Sequence, residues 1–262
     1  MKNTYMYSTL HLFNLFFIFI RILAVFMSAP IFNSKSIPTL TKISLAGLLS
    51  LIFLPSLEIS EVNEAMALPT TTFEFVLTVA QEILIGVLIG FVTGLMFTTI
   101  SIAASMMSLQ IGFRTANLFD PFTNTPTSSL EQFYTLLAIA LFLTINGHHM
   151  FIQALARTFQ IAPIGSFVIN QITIDKLIIL TGEIFNSATR IALPIMGTLL
   201  LADLGLGLIA RAVPQVQVFF LGLPLKIGLG LITLAFTLIL TTPMIKHLFS
   251  EITHHILAIG AN

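Results

Sequence analysis

The stretch Leu201–Lys226, LADLGLGLIARAVPQVQVFFLGLPLK, sets one acid, two bases and two prolines into sequence hydrophobic enough for lipid. An ionised side chain at membrane depth costs at least about 2.5 kcal/mol, and lipid-exposed backbone cannot be left unpaired. Asp203, Arg211 and Lys226 are therefore expected to face partners or a cavity, and the segment reads as part of an assembly or a conduit. Only 8% of residues are charged and the mean hydropathy is +1.00, too little polar surface for a water-soluble globule. The chain is an integral membrane protein. Eleven bases balance eleven acids, so no electrostatic footprint for nucleic acid exists. The absence of cysteine excludes disulfides and thiolate zinc sites.

Charge-free runs outline the organisation. Lys2 precedes the apolar LHLFNLFFIFI, but Arg21 interrupts the run and Pro30 follows Ser28-Ala29, which argues for an uncleaved first membrane helix over Thr9–Ala29. A second helix is expected from Pro38 to Leu54, ending before Pro55. Glu58, Glu61, Glu64, Glu74 and Glu82 follow with no Lys or Arg among them, whereas Lys35 and Lys42 precede. By the positive-inside rule the Lys35 turn leans cytoplasmic and the acidic loop exoplasmic. Phe75–Leu109 would extend about 50 Å as one helix, beyond a hydrocarbon core of about 30 Å, so it must break, tilt or project. Within it Gly86, Gly90 and Gly94 share one face and admit a close helix neighbour, either inside the chain or in another subunit.

The run SMMSLQIGFRTANLFDPFTNTPTSSLEQF reads as a loop, marked by Gly112, Asn117, Asp120-Pro121 and Pro126. Met106, Met107, Ile111, Phe113, Leu118 and Phe119 make it unusually apolar, and Arg114 and Asp120 are candidates to pair. It suits either a segment packed against its own protein or a plug that seals a pore. Ser128 and Glu131 form a capping box for a helix ending at Asn146-Gly147. His148-His149 open another helix to Ile161, and Pro163 and Gly165 close this half. A region from Ile174 to Ala212 follows, with a kink expected at Pro194. Pro214, Pro224 and Pro243 are expected to divide the rest into short helices. No sustained strand pattern appears, so the expected class is all-α, with membrane helical hairpins and broken helices.

Catalytic patterns are scarce. His247, Glu251, His254 and His255 have helical spacing that would in principle bind zinc, although a polar helix at a membrane surface explains them equally. There is no G-x-S-x-G, H-E-x-x-H or phosphate-cradling glycine loop. Neither an enzyme activity nor a cofactor is expected.

Five ordered blocks then point to a family: RILAVFMSAPIFNSKSIPTLTKISLA, QEILIGVLIGF, LQIGFRTANLFDP, LFLTINGHHMFIQALARTFQIAPIG and LGLIARAVPQVQVFFLGLPLK. Together they resemble the flagellar biosynthetic protein FliR family nearly end to end. Gln217, where many relatives have Asn, and the serine-bearing Ser105–Ser108 stretch depart from its pattern.

The resemblance implies a bacterial inner-membrane, multi-pass subunit of the type III protein export gate in the flagellar basal body. Such a subunit assembles with several copies each of FliP and FliQ, works with FlhB and FlhA, and passes unfolded export substrates. It implies a FliP-like part over residues 1–172 and a FliQ-like hairpin over 173–262. It also implies that the loop over residues 106–121 closes the channel, through Met106, Met107, Gln110, Ile111, Gly112, Phe113, Arg114, Asn117, Phe119, Asp120 and Pro121. Gly86, Gly90, Gly94, Arg21, Asp203, Arg211 and Lys226 become packing or polar-pair positions, and Pro214, Gln215 and Pro224 would shape the bend of the C-terminal hairpin. The homologous injectisome subunit and a small-molecule secondary transporter are the alternatives, the latter disfavoured by the lack of matching halves.

Overall fold

The computed structural model describes residues 2–30, 32, 37–58, 71–113, 128–215 and 218–260. Eight helices follow one another among them: α1 Lys2–Ser28, α2 Thr39–Glu58, α3 Thr72–Ile111, α4 Ser129–Thr144, α5 Gly147–Ile161, α6 Gln171–Ala212, α7 Val218–Ser250 and α8 Ile252–Gly260. No strand occurs among the described residues, and the chain is all-α. His11–Ser28, Thr72–Ile111, Gln171–Ala212 and Phe220–Gly260 are long and apolar enough to cross a membrane, with α4 and α5 together a possible fifth span.

Local chemistry explains the ends of these helices. Thr71 and Glu74 form a reciprocal capping box at the start of α3: Glu74 N–H donates to Thr71 Oγ1 at 3.2 Å, and Thr71 N–H donates to Glu74 Oε2 at 3.3 Å. The Ser128 hydroxyl oxygen accepts from Glu131 N–H at the start of α4 at 3.2 Å, as its spacing led us to expect. Asn146, with φ 57°, takes the left-handed conformation between α4 and α5.

Helix α3 runs unbroken because its buried positions keep a helical period: Ile85, Ile89, Val92, Met96, Ile100, Ala103, Met107 and Ile111. Two expectations change as a result. Glu82 lies well inside α3 and is buried, so it does not belong to an acidic loop. Met106 to Ile111 are the last turns of α3, so the expected loop starts at Gly112.

The prolines also break less than expected. Pro55 lies within α2, Pro194 within α6, and Pro224 and Pro243 within α7, so the C-terminal region is one 33-residue helix and not several short ones. A proline removes one backbone hydrogen bond, but abandoning the helix in apolar surroundings would free several groups with no water to receive them. Nearby hydroxyls bond to backbone around these sites. Thr198 Oγ1 donates to Pro194 O at 2.9 Å, and Thr242 Oγ1 to Leu238 O at 2.7 Å.

The helices group into two compact units whose boundaries fall inside α3 and α6. The first comprises residues 1–95, 146–180 and 251–262. In it α1 packs along α2, α5 packs on α8, and α2 touches α5. Phe26, Phe32 and Phe151 make a ring series with centroids 4.6 and 5.6 Å apart. The second comprises residues 96–145 and 181–250, with α4 against α7. Its core holds Phe97, Phe142 and Phe249, with centroid separations of 4.9, 5.3 and 5.7 Å.

The glycine face of α3 is filled by α1 of the same chain. A Cβ at Gly86 would lie 2.7 Å from Ala24 Cβ and 2.7 Å from Arg21 O. One at Gly90 would overlap Ser28 Oγ and lie 2.9 Å from the Ala29 nitrogen, and one at Gly94 would sit 3.4 Å from Pro30 Cγ. Of the two readings of this ridge, packing inside the chain is the one the structure supports, and α1 already occupies the place a second subunit would need. Gly90→Ala should therefore destabilise the fold by about 1–3 kcal/mol through overpacking. Gly47→Ala, with nothing within 4 Å of the added carbon, should be neutral or slightly stabilising. Thermal unfolding of the two variants in detergent separates them, and equal midpoints would remove the close approach from the account.

Candidate functional site

Two polar centres stand out in the apolar interior, one in each unit. In the first, Arg21 on α1 faces Glu82 on α3, and both side chains are fully buried. Arg21 Nε donates to Glu82 Oε2 at 2.6 Å and Nη2 donates to Oε1 at 3.0 Å, a fork-to-fork pair. Arg21 Nη1 donates to Ala162 O at 3.0 Å, and Gly165 N–H donates to Glu82 Oε1 at 3.0 Å. The guanidinium carbon lies 4.0 Å from the centre of the Phe159 ring. One ion pair thus ties α1, α3 and the turn after α5, and its hydrogen-bonding groups find partners despite complete burial.

The second centre joins three helices at one carboxylate. Lys226 Nζ on α7 lies 2.8 Å from Asp203 Oδ1 and 2.9 Å from Oδ2 on α6. Gln110 Nε2, in the last turn of α3, donates to the same Oδ2 at 3.3 Å. This pair is open by comparison, with 23% of the Lys226 side chain and 40% of the Asp203 side chain exposed in the isolated chain. Beside it, Ile111 lies against Gly230: a Cβ on that glycine would come within 2.7 Å of Ile111 Cγ1. Gly112 then ends α3 with φ 99°, a backbone angle that suits glycine. The N–H groups of Gly112 and Phe113 both donate to Ser108 O at 3.1 Å, which closes the helix end.

Of the expected channel-closing residues, Met107 and Ile111 are buried, and Met106, Gln110, Gly112 and Phe113 half-buried. Arg114, Asn117, Phe119, Asp120 and Pro121 lie outside the described residues. Arg211 ends α6 and is exposed, with no described carboxylate pairing with it. Pro214 and Gln215 occupy the exposed turn between α6 and α7, whereas Pro224 lies inside α7. Among the histidines, His255 Nε2 lies 3.6 Å from Glu251 Oε2, and no three metal-capable groups converge among the described residues. Sequence reasoning singled out Arg21, Asp203 and Lys226 but not their partners: Glu82 was placed in the acidic loop, and Gln110 was named for channel closure and not for a tie to Asp203. Glu82 carried a signal, since Glu82, Gly86, Gly90 and Gly94 recur every four residues and share one helix face.

The sequence has known relatives. Residues 12–252 match the family described as "Bacterial export proteins, family 1". The chain belongs to this family. Flagellar biosynthetic protein FliR of Pectobacterium carotovorum subsp. carotovorum is 36% identical over 237 residues, covering 90% of this chain and 88% of the relative. FliR of Escherichia coli (strain K12) is 34% identical over 233 residues, 89% of this chain and 87% of the relative. FliR of Bacillus subtilis (strain 168) is 31% identical over 256 residues, 94% of each. In this FliR-like chain the two polar centres and the glycine face all fall inside the matched region.

Removing one partner of the buried pair strands the other, at a cost of about 3–5 kcal/mol. Arg21→Ala and Glu82→Ala should each sharply lower the yield of folded protein in membranes. The double variant Arg21→Met/Glu82→Met should recover part of it, because no charge is left buried. Recovery should stay incomplete, since Ala162 O and Gly165 N–H would lose their partners. Wild-type yield from either single alanine variant would show that the pair contributes nothing to folding.

Proposed function

We propose that this chain is the FliR subunit of a flagellar type III protein export gate in the bacterial inner membrane. The match to the bacterial export family over residues 12–252, together with FliR relatives 36% and 34% identical over 90% and 89% of the chain, carries the reading. It works there beside several copies each of FliP and FliQ, and with FlhB and FlhA. Its own role is to form part of the gated passage through which unfolded flagellar proteins leave the cytoplasm, with energy supplied elsewhere in the apparatus. The flagellar names of its relatives favour this context over an injectisome.

The division of labour follows the resemblance: residues 1–172 take the place of a FliP protomer and residues 173–262 that of FliQ. The unevenness of burial supports neighbours along the second part. In the most apolar 18-residue stretch of α3, 56% of residues are buried within the chain, against 22% in the corresponding stretch of Gln171–Ala212 and 11% in that of Phe220–Gly260. Leu201, Leu208, Phe236 and Ile239 are each about 70% exposed, surface that either lipid or apolar helices of other subunits must cover.

Closure is assigned to the segment that follows α3, with Met106, Met107, Gln110 and Ile111 forming its helical root. Flexible methionines and Phe113 fill an irregular constriction without a rigid fit, which leaves a seal displaceable by a passing chain. Deleting Gly112 to Asn117 should leave the complex assembled but leaky to ions, with some export persisting. Phe113→Ala should leak less than the deletion, because neighbouring methionines partly refill the gap. Conductance of the reconstituted complex is the readout, and a deleted form that assembles and stays as tight as wild type removes this segment from the seal.

A further inference from the structure

The Gln110–Asp203–Lys226 centre distributes its charge unequally. Both ions belong to the α6–α7 hairpin, whereas α3 contributes only a neutral amide, held at 3.3 Å. If the end of α3 withdrew, Asp203 would remain neutralised by Lys226, and Gly222 would still meet Leu206, whose Cδ1 is 3.4 Å from a Cβ built on that glycine. Parting would strand no lone charge, in contrast to the fully buried Arg21–Glu82 pair, whose two ions sit on different helices. The second contact sets Ile111 against Gly230, a residue with no side chain of its own. Both contacts lie in the last turn of α3, immediately before its closure at Gly112.

We infer that Gln110 and Ile111 form a releasable latch, which holds the end of α3 against the α6–α7 hairpin at rest and parts during export. The inference rests on the export-passage reading above. In the resting state the amide adds a hydrogen bond to an already paired carboxylate, and the isoleucine fills the space above a glycine. The hairpin acts as a fixed seat, because its own ion pair persists whether or not α3 is docked. The half-exposed carboxylate also has room to exchange the Gln110 amide for water, which keeps its hydrogen bonding satisfied as the latch opens.

The absence of native cysteine makes a direct test possible. The full chain carrying Ile111→Cys and Gly230→Cys, produced with its export partners, should lose free-thiol labelling under a mild oxidant as the two sulfurs join. Export should stop on oxidation and return with reductant, while neither single variant changes its export on oxidation. Export that continues in the cross-linked form overturns the latch, and failure to cross-link in the assembled complex overturns the contact itself. If the cysteine pair blocks assembly, Gln110→Leu gives a second measurement. It removes the tie and leaves the ion pair, so the reconstituted complex should conduct more than wild type, and unchanged conductance overturns the inference. These failures differ from that of the passage reading, which falls if deletion of Gly112 to Asn117 leaves the complex tight.

Discussion

A guanidinium and a carboxylate, both fully shielded within a chain that is mostly hydrocarbon, set the terms for the first compact unit. Neither Arg21 nor Glu82 is tolerable there alone, since an unpaired ion at such a site costs several kcal/mol. The pair is therefore less a source of net stability than a rule about which surfaces must meet. Arg21 reaches Glu82 only if α1 lies against the glycine face of α3, and its own carbonyl approaches within 2.7 Å of where a Gly86 Cβ would stand. Its remaining donor fixes Ala162, and the carboxylate fixes Gly165. Dispersion forces between apolar helices are non-directional and would accept several rotations of α1. The ion pair accepts one.

Much of this was legible in the chain and some was not, for identifiable reasons. The glycine spacing, the Ser128 cap and the Asn146 turn are local signals, and each has its counterpart in the structure. Glu82 was misplaced because its partner lies 61 residues away, and an acid amid other acids resembles a solvated loop. The extent of α3 was underestimated because Gly112 drew the preceding methionines into the loop, although Met107 and Ile111 continue the buried period without a gap. The prolines misled most. Rules drawn from water assume that a broken helix has solvent to fall back on, and in apolar surroundings the least costly course is to continue past Pro224 and Pro243 with single bonds missing.

The two ion pairs also use their bases differently. Arginine presents a rigid planar fork, suited to a site in which every donor must find a fixed acceptor, and Arg21 fulfils that demand with Glu82 and Ala162. Lysine is a point charge on a flexible stem, suited to a carboxylate that water also reaches, and Lys226 holds Asp203 at the more open centre. A seam that stays shut and a seam that opens call for these different chemistries. The first belongs where α1 and α3 are packed backbone to backbone. The second belongs where the hairpin meets only the end of a helix.

The distribution of apolar surface completes the argument. In the most apolar stretch of α3 just over half of the residues are buried within the chain. In α6 and α7 the apolar residues largely point away from the chain, and the polar centre between them is what specifies their pairing. Asp203 opposite Lys226 and Leu206 opposite Gly222 are consistent with one antiparallel register. A one-turn slip would separate the charges in apolar surroundings, a penalty that leucines sliding over leucines would not impose. The hairpin thus carries its own alignment, independent of neighbours, while its outer faces remain available to them. An element whose register depended on its neighbours would have no defined surface to offer them, whereas one aligned by its own ion pair does.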